Sequence, residues 1–199
     1  MEIDGVPLHR IHRATLRRRL IAVPQDTVLL PDGSSIRDNL DPYSVATDME
    51  CHAVLETVRL SEFLEEHGGS IYSSMSADRL SAGQKQLFSL GRAILRRRVK
   101  DERLGKDRGR GGGVLLLDEV SSSVDHETDR AMQDIIRHEF KNYTIIMVSH
   151  RLEMVMDFFD EVIVLDKGRI VEKGNPSELV AQETSRFRQL WAIENRKRS

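Results

Sequence analysis

The feature that most constrains the fold is Val114–Leu117, four consecutive apolar residues without alternation, closed by Asp118 and Glu119. A strand with one wet face alternates apolar and polar side chains. An unbroken short run instead suits a strand covered on both faces, as in a parallel sheet sandwiched by helices. Thr144–Val148 (TIIMV) repeats this pattern, and Leu20–Val23 (LIAV) is a third β-prone run, stopped by Pro24. Helix signals lie between them. Thr47 and Glu50 make a capping box that opens a helix to about Leu60, and Ser81 and Gln84 make a second. The second helix places Leu87, Leu90, Ile94 and Leu95 on one face. Asp125 caps a helix with Met132, Ile135, Ile136 and Phe140 at its apolar positions, and Leu152–Phe159 reads as a short helix. Val162–Leu165 and Arg169–Glu172 flank Lys167-Gly168, a two-residue hairpin turn. Asn175, Pro176 and Glu178 start the first of two closing helices, while Gln25–Pro42 and Ser70–Ala77 read as loop. The expected fold is α/β, a mostly parallel sheet flanked by helices with a hairpin at one end.

A chain of 199 residues can bury one core, and its single cysteine, Cys51, excludes an internal disulfide framework and suits a reducing compartment. A net charge of −2 gives no overall pull toward nucleic acid or anionic lipid. No charged-then-apolar leader and no run long enough to span a bilayer is present, so any work at a membrane is expected to go through partners. Residues 96–113 read RRRVKDERLGKDRGRGGG. This composition cannot bury a core, so residues 97–113 are expected to form a flexible surface insertion. Its basic residues lack interleaved aromatics and are mixed with Asp101, Glu102 and Asp107, so a solvated loop, and no nucleic-acid partner, is expected.

Asp118 and Glu119 emerge at a strand's carboxyl end, the edge where open α/β sheets place ligands. One carboxylate there can hold Mg²⁺ through water and its neighbour can polarise an attacking water, although a core strand ending in two solvated acids looks the same. Leu80–Gln84 (LSAGQ) sets Ser81 at a helix start, with Gly83 permitting close backbone approach and Gln84 completing the cap. It suits an anion, and equally an ordinary capped helix. His150, after TIIMV, can hydrogen-bond a phosphoryl oxygen or be a plain surface histidine, and Gln25 is no more specific by itself.

In combination these motifs are specific. Gln25, LSAGQ, VLLLDE, the SSVD of Ser122–Asp125 and Ser149-His150 follow the order and spacing of the ATP-binding cassette (ABC) family. LSAGQKQLFSLGRAILRR resembles the family's signature motif and following helix, and LLLDEVSSSVD its Walker B strand and D-loop. IIMVSHRLEMVMDFFDEVIVLDKGRIVEKGNP resembles the switch-histidine segment and terminal hairpin. VPQDTVLLPDGSSIRDNLDPY looks like the Q-loop of the multidrug-resistance-associated subfamily, second cassette. The resemblance covers nearly the whole chain outside residues 97–113 and implies a helical signature subdomain at about residues 30–90.

The resemblance implies a domain coupling ATP binding and hydrolysis to transmembrane transport of a solute, with ATP and Mg²⁺ as cofactors. Gln25 would touch Mg²⁺ and the attacking water, and Ser81, Gly83 and Gln84 the γ-phosphate of ATP held by an opposite cassette. Asp118 would orient Mg²⁺, Glu119 would be the general base, Asp125 would cross the dimer interface and His150 would hold the γ-phosphate. The implied partners are a second nucleotide-binding domain and the transporter's membrane domains, at the cytoplasmic face of a membrane.

One departure matters. No G-x-x-x-x-G-K-[ST] loop occurs, although the family carries it upstream of the segment resembled by MEIDGVPLHRIHRATLRRRLIAVPQD. That loop supplies most of the grip on the β- and γ-phosphates. The chain is expected to begin in mid-cassette and, alone, to be inactive. It is then a fragment of a transporter, a short protein offering LSAGQ to a partner's ATP as a non-hydrolytic regulatory half, or inert. Chromosome-organising ATPases share the signature and Walker B logic, but the sustained heptads that separate their halves are absent here.

Overall fold

The computed structural model of the chain describes residues 2–103, 112–120 and 124–198, in two compact units, Met1–Val148 and Ser149–Ser199. The first unit opens with an antiparallel pair, β1 (Glu2–Ile3) and β2 (Val6–Pro7), turned by Asp4 and Gly5 at φ 50° and 74°. There follow α1 (Arg13–Arg19) and β3 (Leu20–Val23), then a helical stretch of α2 (Ile36–Leu40), α3 (Asp48–Thr57) and α4 (Ser61–Glu66). The long α5 (Ala82–Arg103) leads to β4 (Gly113–Asp118), and α6 (His126–Glu139) to β5 (Tyr143–Val148). β3, β4 and β5 form a parallel sheet in that order, with Leu20 opposite Val114 and Asp118 opposite Val148. Parallel neighbours need long crossovers, and α2–α5 and α6 provide them.

The local signals act where the sequence places them. Thr47 and Glu50 exchange both capping-box bonds at α3, and Ser81 and Gln84 do so ahead of α5. On α5, Leu90 and Ile94 are wholly buried, and Met132, Ile136 and Phe140 are buried on and just after α6.

Three expectations are corrected. The stretch Gln25–Pro42, read as loop, contains α2, capped by a box between Ser35 and Asp38. Residues 97–103, expected to be part of a flexible insertion, continue α5 as helix, while 104–111 lie outside the described residues. Arg97 and Arg98 hold this extension down by both pairing with Glu139 on α6, Arg98 at 2.8 Å. Finally, among the described residues of this unit, one face of the sheet is buried and the other is largely exposed. Ile21, Val23, Leu115 and Leu117 are at most 2 % exposed, whereas Ile146 and Val148, both expected in a fully buried strand, are each 54 % exposed. β5 alternates half-buried and exposed positions, the pattern of a strand with one covered and one open face among the described residues.

The second unit contains α7 (Leu152–Phe158), the antiparallel hairpin β6 (Val162–Asp166) and β7 (Arg169–Gly174), α8 (Pro176–Ala181) and α9 (Arg186–Arg198). Lys167 and Gly168 both take positive φ, 47° and 75°, which matches the right-handed twist of a tight hairpin. Asn175 caps α8 through Ser177 N and Glu178 N. Val155, Leu179 and Phe187 make the small core, with Leu152, Met156, Phe159, Val162, Val164 and Val180 packed on it.

Candidate functional site

Asp118 ends β4 exposed at the carboxyl edge of the sheet, and Glu119 follows it half-buried. Glu119 has φ 47°, in the left-handed region that non-glycine residues rarely occupy, while its N–H still donates 3.0 Å to the carbonyl of Val148 at the end of β5. The backbone thus breaks out of the strand direction at this residue while remaining tethered to the neighbouring strand. Asp4, Ser44, Arg59 and Lys167 take φ in the same range, so at Glu119 the conformation marks a sharp turn out of β4, at the edge where open α/β sheets place ligands.

Ser81 and Gln84 stand at the start of α5. Ser81 Oγ accepts from Gln84 N at 3.1 Å, and Gln84 Oε1 accepts from Ser81 N at 2.9 Å. Both groups keep donors after capping, the Ser81 hydroxyl proton and the Gln84 amide NH₂, the kind of groups that bind phosphoryl oxygens. Gly83 is buried, and a Cβ there would meet the Thr128 methyl at 3.2 Å and its Oγ1 at 3.4 Å. Thr128 is in turn held by Asp125, which accepts from Thr128 N at 2.9 Å and from its hydroxyl at 2.7 Å. The backbone bond from Thr128, and then its hydroxyl, hold the Asp125 carboxyl below the usual carboxylate range. The signature residues and Asp125 therefore meet across Gly83 and Thr128. Ser122 and Ser123 of the same motif lie outside the described residues.

Gln25 is exposed, and its carbonyl accepts from the side-chain amide of Gln86 on α5. Thr27 Oγ1 donates to Lys85 O at 3.0 Å, and Arg92 donates to the carbonyls of Val28 and Asn39. Gln86 and Arg92 escaped the sequence reading because their partners are backbone carbonyls 61 and 64 positions away, which leave no local pattern. The structure thus joins Gln25 to the signature helix, and that helix to Asp125. His150 belongs to the second unit, in the exposed turn before α7.

Comparison with known proteins gives the family. Residues 1–99 match the ABC transporter family. The chain is similar to ABC transporter FGM5 of Gibberella zeae, 64 % identical over 98 % of the chain and 13 % of that protein. The chain belongs with the ATP-binding domains of ABC transporters. It is also similar to ATP-binding cassette sub-family C member 2 of Rattus norvegicus, 39 % identical over 92 % of the chain and 11 % of the relative. Among solved structures, a bacterial Atm1-family ABC exporter with ATP bound superposes with a TM-score of 0.78 at 26 % identity, covering 97 % of this chain and 31 % of the other. This ABC transporter domain therefore spans only a small part of the length of the curated relatives it matches, and among its described residues no helix is long and apolar enough to cross a membrane.

Proposed function

We propose that this ABC transporter domain serves ATP hydrolysis coupled to the transport of a solute across a membrane. The observation that carries the reading is Glu119, which follows the Walker B strand in a left-handed conformation with its amide bonded to Val148. Glu119 acts as the general base toward an attacking water. Asp118 suits Mg²⁺, since an exposed carboxylate leaves room for a cation that keeps most of its waters and takes further oxygens from phosphate. Mg²⁺ would supply charge neutralisation of the β- and γ-phosphates. Gln25 would serve the same Mg²⁺ and water, and His150 would be a γ-phosphate ligand.

Ser81, Gly83 and Gln84 present their remaining donors to ATP held by a second nucleotide-binding domain, with Asp125 at that interface. The membrane domains dock near the segment after Gln25, where Val28 is 74 % and Tyr43 85 % exposed, and Arg92 ties the Val28 carbonyl to α5. On this reading the domain works at the cytoplasmic face of the membrane, held there by those membrane domains.

No G-x-x-x-x-G-K-[ST] loop occurs in the sequence, so the lysine and amides that grip the β- and γ-phosphates come from residues outside this chain. The purified chain then hydrolyses no ATP above background. In a transporter containing it, Glu119→Gln leaves ATP binding intact and slows turnover by about 100-fold or more. Mg²⁺-dependent turnover by the chain alone, abolished by Glu119→Gln, would refute the need for an outside loop. A fall of less than about tenfold in the transporter would remove Glu119 as the base. The same missing loop favours, as a second reading, a half that only offers LSAGQ to a partner's ATP. In that case Ser81→Arg abolishes turnover in the assembled pair while Glu119→Gln leaves it unchanged.

A further inference from the structure

His150 sits in a turn, Ser149-His150-Arg151, that leads into α7. The turn is closed on itself, because Ser149 Oγ accepts from Arg151 N at 3.0 Å and lies 3.3 Å from Arg151 O. α7 begins without a side-chain cap from its own N-cap residue, Arg151. The cap comes from elsewhere. Glu194 on α9, 42 positions later, accepts a 2.8 Å bond from Leu152 N, the first amide of α7. That amide has no partner within its own helix, and a helix this short is marginal without outside support.

α9 is itself anchored by a carboxylate from a distant element. Glu172 on β7 accepts from Phe187 N at 2.8 Å, from Ser185 Oγ at 3.0 Å and from Arg186 N at 3.3 Å. These bonds, that from Phe187 N first, hold its carboxyl below the usual range. Phe187 is buried in the core of the unit, and Ser185 Oγ accepts from Arg188 N at 3.1 Å. Two carboxylates thus run in series, Glu172 fixing the start of α9 and Glu194 reaching from α9 to the start of α7.

We propose that Glu194 is a positioning residue for His150, fixing the turn that carries the imidazole by holding the first amide of α7. Its functional meaning rests on the reading of His150 as the γ-phosphate ligand, but the geometry does not. Without Glu194 the first turn of α7 frays, and the turn that carries His150, two residues before Leu152, loosens with it.

The test is made on the full isotope-labelled chain without nucleotide, following amide exchange at Leu152 and the Cε1–H resonance of His150, with Phe187 ring resonances reporting the fold. Glu194→Ala should speed Leu152 exchange by about tenfold or more and shift or broaden the His150 resonance. Glu194→Gln, whose amide oxygen can accept the same bond, should keep both near wild type. Should Glu194→Ala unfold the unit, Glu194→Asp replaces it, withdrawing the carboxylate by one methylene, and the same two signals should move. Unchanged Leu152 exchange overturns the proposal, and so does faster exchange with an unmoved His150 resonance. The phosphate reading fails separately, if ATP hydrolysis by the longer transporter survives His150→Ala.

Discussion

The side-chain amide of Gln86 donates to the backbone carbonyl of Gln25, so the helix that begins at the signature residues holds the segment that follows β3. Gln86 is 7 % exposed, and its Oε1 has no hydrogen-bond partner among the described residues. A buried orphan acceptor is costly, whereas the bond its amide makes is worth about 1 kcal/mol net. Gln86→Met keeps the volume and deletes both. Overall stability should therefore change by less than about 1 kcal/mol, while amide exchange across residues 24–28 speeds up. Unchanged exchange in that segment would show that the Gln25 turn holds itself.

Gly83 is set by space. An added Cβ would press on the Thr128 methyl at 3.2 Å, tighter than ordinary contact, and Thr128 cannot retreat without loosening its bonds to Asp125. Gly83→Ala should lower stability by about 1 kcal/mol, despite alanine's better helix propensity. Thr128→Ser removes the offending methyl and keeps the hydroxyl, so adding it should recover most of the loss in urea melts. Additive effects of the two changes would mean that Gly83 and Thr128 do not press on each other.

Glu139 on α6 joins three helices. It accepts from Arg97 and from Arg98 at 2.8 Å, while Arg98 also donates to Thr57 at 2.9 Å. Burial raises its pKa, but the two guanidiniums, Arg98 foremost, more than offset this and leave it below the ordinary glutamate range. A carboxylate depressed in the folded state adds stability above its unfolded pKa of about 4.3, and that stability is lost as pH falls through the folded value. Wild type should therefore weaken as pH drops from about 5 toward 3, and Glu139→Gln should flatten part of that dependence. At neutral pH, Glu139→Ala should cost about 3 kcal/mol, since it strands two partly buried guanidiniums. Parallel pH profiles for wild type and Glu139→Gln would sink the argument.

What the sequence made legible was local. Capping boxes such as Thr47–Glu50 and Ser81–Gln84 close within one turn, and the Lys167-Gly168 hairpin is dictated by two adjacent residues. The order of the motifs around Glu119 could be read for the same reason. Ser35 and Asp38 show the limit, since a box with Asp in place of Glu or Gln sits inside a Gly- and Pro-containing stretch that reads as loop. Residues 97–103 were hidden differently. Their charges look unfit for burial until Glu139, far along the chain, is known to receive two of them. Caps supplied over long separations, Glu194 to Leu152 and Glu172 to Phe187, leave no local pattern at all. Nor does TIIMV reveal that only one face is covered, because both of its faces are apolar.

The uncovered face of the sheet carries the last prediction. Ile146 pairs with Leu116 and Val148 with Asp118, so all four share one face, and Ile146 and Val148 are each 54 % exposed. Parallel sheets are ordinarily covered on both sides, and β5 pairs only with β4 among the described residues, leaving an apolar face beside an unpaired edge. Such a surface drives association. The isolated chain should self-associate as its concentration rises, and Ile146→Thr with Val148→Thr should shift it toward monomer in light scattering without lowering its melting temperature. Threonine keeps the β-branched shape that strands favour, so only the apolar surface changes. Leu115→Thr, on the opposite face at 0 % exposure, should cost about 3 kcal/mol by burying a hydroxyl and opening a gap. If the Ile146 and Val148 changes destabilise as strongly as Leu115→Thr, that face is packed in solution and the association has another origin.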